Sequence, residues 1–234
     1  MVFQCNDLSK TYGRTRALEG VNLSIAPGRI VGLLGPNGSG KTTLIKLANG
    51  LLTPSGGSLS VCGEAVGKNS RALVSYVPER TSVPLWMTAE QLLDFYGDFY
   101  PDFRRPLAEE MLSALGIAPK QRIRQMSKGT REKVQLIVTM SRRAKLYLLD
   151  EPIGGVDPAT RDYILSTIIT NYDPDAAVVI STHLIADVER VLDEFVFLHN
   201  GKIVRQGNAD EVREETGKSL DKLFREVFQC LPNC

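Results

Sequence analysis

The chain has 234 residues, with 28 Lys and Arg against 27 Asp and Glu, for a formal net charge of +1. Its 43% hydrophobic and 24% charged residues are ordinary for a globular domain, and the near-neutral balance gives no electrostatic case for nucleic acid. No apolar run approaches the roughly 18 residues of a membrane span, and the N-terminus lacks a signal-peptide pattern, so action at a membrane requires docking onto another chain.

In chain order, the first elements read as short alternating strands, with Val21, Leu23 and Ile25 leading to a Pro27-Gly28 turn. Arg29-Ile30-Val31-Gly32-Leu33-Leu34 reads as a short buried strand. It runs into Gly35-Pro36-Asn37-Gly38-Ser39-Gly40-Lys41-Thr42, the phosphate-loop pattern G-x-x-x-x-G-K-[ST]. Thr43 follows, and Leu44, Leu47, Ala48 and Leu51 then repeat at helical spacing. The glycines let backbone N–H groups converge on an anion, and the helix N-terminus adds partial positive charge. Lys41 suits the β- and γ-phosphates, and the Thr42 hydroxyl suits Mg²⁺. The pattern predicts a site for a nucleoside triphosphate.

After Pro54-Ser55-Gly56-Gly57, strands are expected near 58–62 and 73–77. From about 88 to 142 the chain reads as helices. Thr88 and Gln91 form a capping box ahead of Leu92, Tyr96 and Phe99; Pro106 suits a first turn and Gly116 a helix stop. Basic residues gather between Lys120 and Lys145 against Glu132 alone, a solvated face or a segment near phosphates from outside its own loop. The α/β rhythm then returns: strands over Lys145–Leu149 and Ala176–Ser181 flank a helix from Pro158. Glu194–His199 and Lys202–Arg205 flank Asn200-Gly201, a strong hairpin signal, and a last amphipathic helix carries Leu220, Leu223, Phe224 and Val227. This is one α/β domain, 1–79 with 143–234, interrupted by a helical insertion at 80–142.

Leu146-Tyr147-Leu148-Leu149-Asp150-Glu151 is a hydrophobic strand ending in two carboxylates. Asp150 at the tip suits Mg²⁺, and Glu151 can orient or deprotonate an attacking water. The four cysteines, Cys5, Cys62, Cys230 and Cys234, form no C-x-x-C pair and have no histidine at zinc-ligand spacing. They fit a reducing cytosol as incidental thiols, with a Cys230–Cys234 redox pair as the other reading.

With both nucleotide motifs in place, the chain resembles the ATP-binding subunit of ABC (ATP-binding cassette) transporters over nearly its full length. Four further matches follow in the family's order: Tyr12 for the aromatic that stacks on adenine, Ser127-Lys128-Gly129-Thr130 for the signature, Gly155-Val156-Asp157-Pro158 for the D-loop, and Ser181-Thr182-His183 for the switch histidine. The resemblance implies a P-loop NTPase fold with an N-terminal antiparallel β subdomain and an inserted helical subdomain. It also implies ATP and Mg²⁺, and a second cassette whose signature helix faces the γ-phosphate. Ser127 and Asp157 are natural helix N-caps besides. A separately encoded transmembrane permease is implied as partner, placing the chain at the cytoplasmic face of the membrane.

Two positions depart from the pattern. Lys128 replaces a signature glycine and Thr130 a glutamine, while Glu79 stands where most members carry the Q-loop glutamine. Glu79 can still ligate Mg²⁺ but cannot donate a hydrogen bond. Both variants resemble bacterial export-type ATPases linked to drug or antimicrobial-peptide resistance. The Glu79 loop and the helices around Trp86–Phe103 are expected to form the permease groove, with Trp86, Phe95, Tyr96 and Tyr100 as exposed candidates. Competing readings are a soluble ABC ATPase of translation or DNA repair, and a weakly active partner in a heterodimer.

Overall fold

Two long strands open the computed structural model, which describes residues 1–229. Strands β1 (Phe3–Tyr12) and β2 (Thr15–Ile25) have 10 and 11 residues, longer than the short strands expected. Irregular register between Cys5 and Leu8 explains the length: Asp7 turns to φ 48°, and the ribbon bends and continues. β3 (Arg29–Leu34) leads through the glycine loop into α1 (Lys41–Ala48). Then come β4 (Gly56–Val61), β5 (Glu64–Ala65), α2 (Lys68–Ala72) and β6 (Val74–Val77). The helical stretch holds α3 (Ala89–Phe99), α4 (Arg105–Ala114) and α5 (Lys128–Met140). β7 (Leu146–Asp150), α6 (Pro158–Asn171), β8 (Ala177–Thr182), α7 (Ile185–Val188), β9 (Glu194–His199), β10 (Lys202–Asn208), α8 (Ala209–Thr216) and α9 (Leu220–Gln229) complete the order. Cys230 and Cys234 lie outside the described residues; Cys5 is a buried free thiol and Cys62 an exposed one.

Local chemistry sets the helix ends as expected. Thr88 Oγ1 accepts from the Gln91 N–H at 3.2 Å, and the Gln91 side chain accepts from the Thr88 N–H at 3.0 Å. Pro106 sits in the first turn of α4, and Gly116, at φ 67°, follows its end. The strands form two sheets. One is antiparallel, in the order β2-β1-β4-β5; the other runs β10-β9-β3-β8-β7-β6 and is parallel except for the β9–β10 hairpin. β3 thus lies between two strands from far later in the chain, which puts the glycine loop at the centre of the sheet's C-terminal edge.

Three apolar clusters hold this together. The first packs the antiparallel sheet and α1 onto one face of the parallel sheet, through Leu8, Ile25, Ile45, Leu148 and Val196. The second covers the opposite face with α5 to α9, through Leu136, Ile164, Phe197 and Phe228. The third belongs to the helical stretch, from Val83 to Val138. Helix α5 serves two of them: Val134, Ile137 and Val138 face the helical cluster, while Leu136 and Met140 face the sheet.

Arg142, only 2% exposed, corrects one reading of the basic segment. Its guanidinium pairs with Asp102 at 3.1 Å, donates to the carbonyls of Val74 (2.5 Å) and Ala72 (2.6 Å), and stacks 3.8 Å from the Tyr100 ring centroid. It fastens the helical stretch to the sheet edge. Tyr96 and Tyr100 are likewise not exposed: Tyr96 packs against the helical core and burial pushes its hydroxyl up to about 12, while Tyr100 is half-buried beside it. Trp86 and Phe99 are well exposed there, at 67% and 66%, and Phe95 less so at 36%.

Candidate nucleotide site

The glycine loop is shaped by its neighbours as much as by an anion. A Cβ on Gly35 would meet the Leu198 carbonyl at 2.3 Å, and one on Gly40, at φ 110°, the Ala17 carbonyl at 2.6 Å. The Gly201 N–H, at the tip of the β9–β10 hairpin, donates to the Ser39 carbonyl at 2.9 Å and braces the loop. Gly38, at φ 80°, has nothing near its would-be Cβ and faces the open side. Lys41 folds back over the loop and donates to the carbonyls of Gly35 (2.8 Å) and Pro36 (3.1 Å).

Beside it, β7 delivers Asp150 and Glu151. Asp150 is 1% exposed, and its Oδ1 accepts from Thr42 Oγ1 at 3.1 Å and Ser181 Oγ at 2.6 Å. Its Oδ2 is buried without a partner, and burial pushes the carboxyl's pKa up. An unsatisfied buried carboxylate oxygen beside a hydroxyl is the donor set a hard divalent cation takes, so Thr42 and Asp150 fit Mg²⁺. Among the described residues no cluster of three or more His, Cys, Asp or Glu could hold a metal unaided. That agrees with an ion whose other ligands are phosphate oxygens and water. Glu79 is exposed, and its charge is one of the smaller contributions raising the Asp150 pKa.

Glu151 is held from several sides. Its backbone sits at φ 50°, and its N–H donates to the Ser181 carbonyl (3.0 Å) and Ser181 Oγ (3.1 Å). Its carboxylate meets Lys41 Nζ at 3.4 Å, accepts from Thr182 Oγ1 at 3.1 Å, and faces His183 Nδ1 at 3.1 Å through both oxygens. An open cleft of about 430 Å³ adjoins it, lined among others by Asn37, Glu79, Lys128, Gly155 and His183.

Of the remaining motif residues, Lys128 lines the same cleft. Ser127 caps α5 by accepting from the Thr130 N–H at 3.1 Å, and Asp157 caps α6 by accepting from the Thr160 N–H at 2.9 Å. The two caps are neighbours, since a Cβ on Gly129 would lie 3.6 Å from Thr160 Oγ1 and 3.9 Å from Asp157 Oδ2. Lys128 reaches Glu132 at 3.7 Å with most of its side chain in solvent. Tyr12, 46% exposed at the end of β1, has Lys10 Nζ 5.3 Å from its ring centroid. Thr43 follows Thr42 in the first turn of α1.

Three contributors to the site escape a reading by motif. Ser181 and Thr182 stand in the sequence only as the approach to His183, although two hydroxyls at the end of a buried strand have few acceptors besides a neighbouring carboxylate. Gly201 signals only a turn, and its contact with Ser39 spans too much chain to be anticipated.

The ABC transporter family model matches residues 18–154. The chain is 33% identical over 213 residues to YxlF of Bacillus subtilis, an uncharacterized ABC transporter ATP-binding protein, covering 89% of this chain and 71% of that one. It is 29% identical to the daunorubicin resistance ATP-binding protein DrrA3 of Streptomyces coeruleorubidus, over 94% of this chain and 72% of DrrA3. A solved structure of an ATP-binding subunit of an ABC transporter superposes with a TM-score of 0.86 at 30% identity, covering 97% of this chain and 100% of that one. The chain belongs to the ABC transporter family, as one of its ATP-binding and ATP-hydrolysing subunits.

Proposed function

We propose that this chain pairs head-to-tail with a second cassette around two Mg·ATP and drives a separately encoded transmembrane permease, in the direction of export. The observation that carries the reading is the position of Glu151 between Lys41 and His183 on an open cleft. Glu151 takes the proton of the attacking water, and His183 steadies that carboxylate and the γ-phosphate. Lys41 and the loop N–H groups hold the phosphates, with Tyr12 under the adenine. Thr42 and Asp150, with Glu79 nearby, would hold Mg²⁺, which neutralises phosphate charge when bound.

What stands exposed supports the dimer. Ser127 and Lys128 present the positive end of α5 to solvent, and an anion from a second chain's loop suits that position. Gly129, Thr130 and Asp157 line the same seam. For the permease, a cleft of about 390 Å³ bordered by Tyr76, Pro78, Tyr96, Tyr100 and Arg142 lies between the helical insertion, taken as 80–142, and the sheet. Trp86 and Phe99, exposed on the same insertion, are free to cover an apolar helix. No described helix is long and apolar enough to cross a membrane, so a working position on the cytoplasmic face depends on that contact. The similarity to DrrA3, a daunorubicin resistance protein, favours export.

The test is a mild-detergent pull-down of the tagged chain from native membranes, with mass spectrometry of its partners. A stoichiometric polytopic membrane protein supports the transporter motor. Recovery only from the soluble fraction, with ribosomes or nucleic acid, transfers the reading to a non-transport ATPase.

A further inference from the structure

The geometry points to Thr182 as the positioning residue for the catalytic carboxylate, an inference that rests on Glu151 being the base. Thr182 closes β8 with 0% exposure, immediately before the half-exposed His183. Its hydroxyl oxygen accepts the Leu184 N–H at 3.0 Å, and its Oγ1 lies 3.1 Å from Glu151 Oε2. A hydroxyl has one proton, and an ionised carboxylate can only accept, so that proton points at Glu151.

The other partners of Glu151 explain why this contact matters. Lys41 is the residue the phosphates engage, and His183 stands at the cleft mouth with 43% of its side chain exposed. Both have other work during turnover. Thr182 is fully buried, belongs to the sheet, and spends its acceptor side on the backbone two residues on. It is therefore the one side-chain partner of the Glu151 carboxylate among the described residues that rests on the rigid sheet and has no role toward nucleotide.

The need for such an anchor is local. Glu151 follows the last residue of β7 at φ 50°, a left-handed conformation a glutamate side chain does not favour. The loop after it starts with a turn in which the Gly154 N–H donates to the Glu151 carbonyl at 3.0 Å. Ser181 fixes the backbone by accepting the Glu151 N–H, and its own proton goes to Asp150. The two consecutive hydroxyls thus have separate roles. Ser181 holds the main chain and the neighbouring carboxylate, and Thr182 sets the direction of the Glu151 side chain.

Four variants of the full chain test this by steady-state ATP hydrolysis and by equilibrium ATP binding. Thr182→Val keeps the shape and removes the hydroxyl; kcat should fall roughly 10- to 100-fold while ATP affinity and KM stay within about twofold. Thr182→Ser should restore kcat. Glu151→Gln should be nearly inactive, and adding Thr182→Val to it should cost nothing more, since the hydroxyl acts only through that carboxylate. Should Thr182→Val fail to fold, Thr182→Ala reads the same loss and Thr182→Ser the same rescue.

Full kcat in Thr182→Val beside an inactive Glu151→Gln overturns the positioning role and leaves the base assignment standing. Wild-type turnover in Glu151→Gln instead removes the base assignment on which the inference rests. Parallel loss of kcat and ATP binding, not rescued by serine, would make Thr182 a structural residue only.

Discussion

Lys41 Nζ lies 3.4 Å from Glu151 Oε1, with side chains only 6% and 11% exposed. A cation and a carboxylate this far out of water must satisfy each other and their remaining hydrogen-bonding capacity. Lys41 does so through two loop carbonyls, and Glu151 through Thr182 and His183. A phosphate entering the loop therefore competes with Glu151 for the same ammonium.

Glu151→Gln removes that competitor together with the carboxylate proposed as the base. Turnover should drop by roughly 10²- to 10⁴-fold while ATP binds more tightly than to the parent chain. Phosphate release and equilibrium binding measure the two effects on one preparation. Undiminished turnover would take Glu151 out of catalysis.

Lys128 stands mostly in solvent, tied only to Glu132 at 3.7 Å. Replacing it by glycine restores the usual signature, and because the pair is exposed on one side its loss should change stability by under about 1 kcal/mol. ATP-driven dimerisation should weaken, and more so at low salt, if in the proposed dimer Lys128 faces the second chain's phosphates. Size-exclusion light scattering of a Glu151→Gln background with ATP reads this directly. A tighter dimer would identify Lys128 as a tolerated defect.

Glu132 supplies the pH test. Its Oε2 is buried without a partner, and burial is the main cause raising its pKa, opposed by Lys128 and aided by the Asp157 charge. Because the folded value exceeds the unfolded one, its contribution to stability is fully present below the unfolded pKa and is lost as pH rises through the folded one. Glu132→Gln should therefore stabilise the chain at neutral pH, by under about 1 kcal/mol, with the gain vanishing on acidification. Thermal melts at neutral and acidic pH compare the two. A pH-independent difference would contradict it.

Arg142→Met should be far more damaging. It leaves Asp102 without its cation and two carbonyls without donors, and it removes the stack on Tyr100. Breaking a buried pair by deleting one partner costs about 3 kcal/mol or more. Urea unfolding should register that loss, and a change under about 0.5 kcal/mol would mean the pair contributes only geometry.

Much of this molecule is written in short stretches of chain. The glycine loop and Lys41, the Thr88–Gln91 box, the caps at Ser127 and Asp157, and the Asn200-Gly201 turn each involve groups no more than 6 positions apart, so spacing alone reveals them. The motif order extends that reach to the nucleotide and the family. Contacts across long stretches of chain were decided only by folding. Thr182 meets Glu151 across 31 positions, and Arg142 meets the Val74 carbonyl across 68. The insertion of β3 between β8 and β9 has no local signal, because it reflects which apolar faces pack rather than how neighbours are spaced. Local spacing was enough to name the glycine loop and Lys41 as the candidate phosphate site and the two carboxylates beside it. Folding decided which way Glu151 points, which arginine is buried, and what braces the loop, because each depends on partners brought together only when both faces of the sheet are covered.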